Sequence, residues 1–206
     1  MSQRPPKPNT YAFIDSQNLN LGTQRMGWKL DWRKFRKYLL DEYNVTNAFM
    51  FIGYMAENEQ LYEYMHELGF LIVLKPTLDV AAVHPEEETA AEIAAHTPEQ
   101  AKAKKEADDK EKVPIKGNID ADLVLYAMKE FPNYDKAIIV SGDGDFFGLA
   151  EYLDQQGKLA YILTPNWQYS SLLKSFEAKI VRLDQLRRQL TYFDRKKNSP
   201  SKQPAK

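Results

Sequence analysis

One stretch, Ala137-Ile138-Ile139-Val140-Ser141-Gly142-Asp143-Gly144-Asp145-Phe146-Phe147, constrains the chain more than any other. Its β-branched run has the length of a buried strand and stops abruptly at small and acidic residues. Ser141-Gly142 and Gly144 permit a tight turn, and helical spacing resumes from Phe146 to Leu153. Asp143 and Asp145 therefore stand where a parallel strand passes into a helix, the edge at which open α/β sheets bind ligands. Two carboxylates there repel each other unless a cation or proton intervenes, which points to a metal site. Asp-Gly-Asp is equally the composition of a solvated turn with a helix N-cap, and this stretch alone leaves both readings open.

The rest of the chain repeats the strand–helix alternation. Tyr11-Ala12-Phe13-Ile14 reads as a first strand ending on Asp15, and Ser16 to Leu19 as a turn. Asp31 is placed to cap a helix in which Trp32, Phe35, Leu39 and Tyr43 recur at helical spacing. A second strand follows at Asn47 to Tyr54, then a helix from Asn58 to Leu68 closed by Gly69, then a third strand at Phe70 to Leu74. Lys116-Gly117-Asn118-Ile119-Asp120 opens a helix with Leu123, Val124, Ala127 and Met128 on its buried stripe. Asp120 shares that inward face at the helix start, whereas Asp122 is turned away toward solvent. Beyond the central strand, helices are expected at Phe146 to Gln156 and Tyr169 to Phe176, and strands at Leu159 to Leu163 and Lys179 to Leu183. Asp184 is expected to cap a last helix through Tyr192. Right-handed crossovers make such strands parallel, with helices on both faces.

Residues 10–193 are read as one domain, preceded by a proline-rich arm over 1–9 and followed by a basic tail over 194–206. Between about 79 and 115 the pattern breaks into a charged insertion, with about ten acids against about five lysines and no aromatic residue. Its composition suits either a loop or an exposed alanine-rich helix. The net charge is −1, so the basic C-terminal residues from Arg182 onward, a candidate for holding phosphates, stand out only locally. No apolar run approaches the roughly 20 residues that cross a bilayer. The N-terminus lacks the apolar core of a secretory signal. Cysteine is absent, which removes disulfides and thiolate metal sites and makes the cytoplasm the expected compartment.

Acids thus fall at three separated strand ends or helix starts: Asp15, Asp120, and the Asp143/Asp145 pair. In a parallel sheet Asp15 and Asp143 leave the same edge. An all-oxygen cluster of this kind suits Mg²⁺ or Mn²⁺ and phosphodiester hydrolysis. Competing motifs fail on the letters. Gln17 replaces the second acid of the haloacid-dehalogenase Asp-x-Asp. Gln17 and Leu19 replace the serines of an Asp-x-Ser-x-Ser adhesion site. Neither a dinucleotide-type Gly-x-Gly-x-x-Gly nor a P-loop is present. A Ser-His-Asp triad is disfavoured, since His66 alone among the histidines falls in an ordered-looking segment, where it is expected on the exposed or edge face of its helix.

Phe13-Ile14-Asp15-Ser16-Gln17-Asn18-Leu19, Lys116-Gly117-Asn118-Ile119-Asp120 and Ser141-Gly142-Asp143-Gly144-Asp145-Phe146 together resemble the three signatures of NYN domains, PIN-like proteins, and most of all their bacterial LabA-like branch. The resemblance extends over about Tyr11 to Leu183. It implies a three-layer α/β/α PIN-like fold with a mainly parallel sheet and a Mg²⁺- or Mn²⁺-dependent ribonuclease leaving 5′-phosphates. It also implies Asp15, Asp120, Asp143 and Asp145 as metal-holding catalytic residues, with Asn18 at the matching asparagine. Many members carry a further acid midway along the helix after Lys-Gly, where this chain has Tyr126. Asn18 and Ser141 are candidates for positioning phosphate or water, or else simply for capping turns. Lys116 is a candidate for neutralising phosphate and Trp167 for stacking a base of single-stranded RNA, while Tyr169 is expected to pack in the core. A catalytically silent module of the same fold, binding RNA or a regulatory protein partner or forming a homodimer, is the other reading.

Overall fold

The computed structural model describes residues 7–53, 58–75 and 119–193. The whole of the expected insertion at about 79–115, Lys116, the first residues of the arm and the basic tail lie outside the described residues. Six strands form one sheet in the order β3-β2-β1-β4-β5-β6: β1 (Thr10–Asp15), β2 (Val45–Gly53), β3 (Leu71–Lys75), β4 (Lys136–Val140), β5 (Leu159–Thr164) and β6 (Ile180–Arg182). Every pairing is parallel. β1 is buried along its whole length, as a central parallel strand covered on both faces must be.

Alternation along the strands divides the apolar residues between two cores. Ala12 and Ile14 face one layer with Met50, Val140, Phe35 and Leu39. Tyr11 and Phe13 face the other with Phe49, Ile139, Leu123 and Leu153. Helices α1 (Ser16–Arg25) and α2 (Trp32–Tyr43) supply residues to the first layer. The second is closed by α4 (Ile119–Lys129) and α5 (Phe147–Gln155), while α3 (Glu59–Glu67) adds Met65 to the first. This is a three-layer α/β/α sandwich.

Several expectations need correction. The residues after Asp15 do not merely turn; they form α1, with Asp15 as its N-cap. Tyr169 to Phe176 is instead a 3-10 segment, Ser171–Lys179. Asp184 does not cap the last helix: it sits inside a 3-10 turn, Leu183–Leu186, and accepts two hydrogen bonds from Arg182. The helix that follows, α6 (Arg187–Leu190), stops short of Tyr192. Met128 is exposed, so only Leu123 and Ala127 of the expected stripe are fully buried. Asp122 is half-buried and pairs with Lys75 at 3.0 Å rather than facing bulk water. Asn9, assigned to the arm, is tied to Asp135, Asn133 and Thr46.

Candidate active site

The strand order reverses between β1 and β4, whose crossovers leave in opposite directions and open a crevice at their carboxyl ends. Asp15 ends β1 and Asp143 lies just past β4, so the topology brings both acids to that crevice. A cleft of about 300 Å³ is lined there by Asp15, Asp120 and Asp143, together with Gln17, Asn18, Leu21 and Ile119.

Backbone turns hold these acids in place. Asp15 accepts from the Asn18 backbone N–H at 3.0 Å, capping α1. Its other oxygen accepts from the Ser141 hydroxyl at 3.2 Å. Ser141 Oγ in turn accepts from the Asp143 backbone N–H at 3.1 Å. One hydroxyl therefore bridges the two strand ends. Asn18 Oδ1 accepts from the Gly142 N–H at 2.9 Å and ties α1 to the same turn. Asp143 caps the 3-10 turn Gly144–Phe146 by accepting from the Asp145 N–H.

Electrostatically Asp15 is the unusual member. It is 6% exposed, and burial lifts its carboxyl above the ordinary carboxylate value. The bonds from Asn18 and Ser141 oppose that rise, and the nearby charge of Asp143 adds to it. A buried carboxylate whose charge is only partly compensated is a natural partner for a cation. The donors facing the cleft are all oxygen, which fits a hard divalent ion. Among the described residues, no three acidic or imidazole side chains form a ready-made cage for such an ion.

Of the sequence-expected site residues, Asp15, Asp120, Asp143 and Asn18 share the cleft. Asp145 is exposed and is not among the cleft residues; its backbone fixes Asp143. Ser141 is 1% exposed, with its hydroxyl engaged on both sides, so it positions carboxylates and presents no surface to a substrate. Trp167 is 57% exposed and does not line the cleft. It belongs to a loop whose Pro165 and Tyr169 press on Gly142. Tyr169 packs against the second core, as expected. Tyr126 also packs there, against Phe49 and Phe51, where an acid would be out of place. His66 is exposed.

Gln17, Leu21 and Ile119 were not anticipated. The first two follow from α1, since positions four apart share a helix face. Asn166 was missed as well. It is 4% exposed, and its amide donates to the Gly22 carbonyl at 2.9 Å, pinning the loop after β5 to α1.

The family model of the NYN domain matches residues 9–184. A crystal structure of a protein of unknown function from Vibrio parahaemolyticus RIMD 2210633 is similar at a TM-score of 0.60 and 19% identity. That match covers 92% of this chain and 100% of the other, and at such identity the likeness is one of fold. No curated protein matches the sequence.

Proposed function

The chain belongs to the NYN domain family, and from that premise we propose that it is a divalent-metal-dependent ribonuclease acting on single-stranded RNA. The observation that supports this most is the Ser141 bridge between Asp15 and Asp143, on a cleft that Asp120 also lines. Asp15, Asp120 and Asp143 hold Mg²⁺ or Mn²⁺ in this reading. Such an ion supplies Lewis-acid polarisation of the phosphoryl group and a water acidified for attack. The protein's own part is placement. Asn18 and Gln17 face the cleft with amide groups suited to a phosphate or its water shell. Asp145 lies at the surface beside Asp143, where it acts through water. Lys116, entering just before α4, and Trp167 contribute charge neutralisation and base stacking along the substrate. The domain over residues 10–193 works in the cytoplasm as a LabA-like member of the family.

A second reading draws support from two observations, the outward Asp145 and the aromatic Tyr126 in the second core. In it the fold binds RNA or a regulatory protein, or pairs with a second copy, without turnover.

Cleavage of single-stranded RNA with Mn²⁺ or Mg²⁺, by wild type and Asp143→Asn and with EDTA, separates the two readings. Asparagine keeps the shape and removes one ligand charge. Activity lost in both the variant and the EDTA control is expected. Activity that survives in Asp143→Asn removes this cleft from the reaction. A folded wild type that binds RNA and never cleaves it favours the silent module.

A further inference from the structure

A second feature lies at the far end of α1. The segment after β6 returns to the loop between α1 and α2 and is stitched to it. The Asp31 N–H donates to the Leu190 carbonyl and the Tyr192 N–H to the Lys29 carbonyl, both at 2.8 Å. Leu30 and Thr191 form an antiparallel bridge. Arg187 donates to the Gly27 carbonyl at 2.9 Å, and Lys34 to the Thr191 carbonyl at 2.7 Å. Segments about 160 residues apart are thereby joined into one surface.

The composition of that surface is unlike that of the whole chain. Residues 25–37 contain six basic residues and one acid, Asp31. Arg36 is turned to the Gly69, Val45 and Thr46 carbonyls and Lys37 is paired with Asp41, which leaves Arg25, Lys29, Arg33 and Lys34. Residues 187–193 add Arg187 and Arg188 with no acid. The Asp31 carboxylate is already engaged in capping α2. Two aromatic rings stand exposed among the cations, Tyr192 at 47% and Phe193 at 62%. Lys29 lies 5.4 Å from the first ring and Lys34 lies 4.9 Å from the second. A protein of net charge −1 has gathered cations beside open rings on one face.

We propose that this face is an accessory binding site for single-stranded RNA, with Lys29, Arg33 and Arg188 taking phosphates and Tyr192 and Phe193 stacking bases. The choice of RNA rests on the nuclease reading of the cleft; the charge and aromatic chemistry is independent of it. Single strands are held by this combination, because every base offers a ring face and every linkage an anion. α1 connects the two regions. Gln17, Asn18 and Leu21 line the cleft, and the residues just past its other end receive Arg187. Ten helical residues span about 15 Å, so one short strand reaches both. Gln24 and Arg25 are exposed between them. The site would hold the substrate in register while the cleft acts on it.

The test is fluorescence anisotropy with a uridine oligomer of about 12 nucleotides, in EDTA so that no strand is cut. The variants are Lys29→Glu/Arg188→Glu, its milder form Lys29→Gln/Arg188→Gln, and Phe193→Ser, with Asp143→Asn as the cleft control. Thermal unfolding checks that each is folded, and the glutamine pair serves if the glutamate pair is not. The charge variants are expected to bind about ten-fold more weakly, with a salt slope smaller by about 0.7 for each phosphate they no longer neutralise. Phe193→Ser is expected to weaken binding about five-fold, and Asp143→Asn to bind as wild type or more tightly. Unchanged affinity in the folded charge variants overturns the proposal. So does wild type that binds no RNA in EDTA, a result that leaves the nuclease reading to the cleavage assay. Binding to anionic phospholipid vesicles, abolished in the charge variants while RNA binding is not, overturns it in favour of a membrane surface.

Discussion

Asp15 ends a strand, caps a helix and faces the cleft, and these tasks conflict. The cap and the Ser141 bond favour its charged form, while burial and Asp143 oppose it, and burial dominates. With its folded-state value above the ordinary 3.8, the native protein binds this proton more tightly than the unfolded chain does. Stability therefore falls as pH rises through the window from 3.8 up to the raised value, and the ionised carboxylate remains a cost at neutral pH. Asp15→Asn, in EDTA, is expected to raise the thermal midpoint at pH 7 by about 2–4 °C for each kcal/mol relieved. The gain should vanish as pH drops below about 4; a gain that persists in acid would locate its cause elsewhere. Mg²⁺ at about a hundred times its Kd should stabilise wild type by about 2.7 kcal/mol, and the variant far less. Asp15, Asp120 and Asp143 were legible as candidates that share the cleft because strand ends and helix starts can be counted from the sequence. The direction of Asp145 was not, because it depends on how the turn after Gly142 closes against Asp143.

Among the elements, α1 was the least legible. Ser16, Asn18 and Asn20 are modest helix formers, and the segment has too few apolar residues to show a stripe. What holds it is the Asp15 cap and close packing on the loop after β5, and tertiary packing generally outweighs propensity in such short helices. A Cβ on Gly22 would stand 2.5 Å from both Cβ and Cγ of Pro165. Gly22→Ala, although it improves helix propensity, should cost about 1–3 kcal/mol through overpacking. A denaturant midpoint unmoved or raised would show that the loop gives way. The first turn of α4 depends on the Lys75–Asp122 pair, which ties it to the end of β3. Because both partners are part-exposed, Asp122→Asn should cost no more than about 1 kcal/mol. Hydrogen exchange at Leu123 to Ala127 should nevertheless quicken, and Mn²⁺ should bind more weakly through Asp120. Unchanged exchange would show that the pair does not hold the turn.

At the scale of the whole molecule, the sheet separates two core clusters among the described residues. Leu39 lies fully buried in one layer and Leu153 in the other. Each change to alanine should cost about 2–5 kcal/mol, and the two should add to within about 0.5 kcal/mol because they share no partner. Urea unfolding of both single variants should remain one transition by fluorescence and circular dichroism; separate transitions would mean that the layers unfold independently. The same crossovers that build the layers reverse between β1 and β4, and that reversal creates the cleft.

The sequence by itself determined the parallel α/β class, the positions of most strands and the three acids that share the cleft. These follow from apolar periodicity and from where strands must stop, which are local properties of the chain. The tertiary structure alone decided the rest. The strand order placed Asp15 beside Asp143, and the hydroxyl of Ser141, 126 residues from Asp15, joined them. It also turned Asp145 outward, drew Asp122 to Lys75 and folded the Arg187 to Phe193 segment against Lys29 and Lys34. Each of these is a choice of partner between distant segments, set by packing and charge in three dimensions, and periodicity carries no record of it.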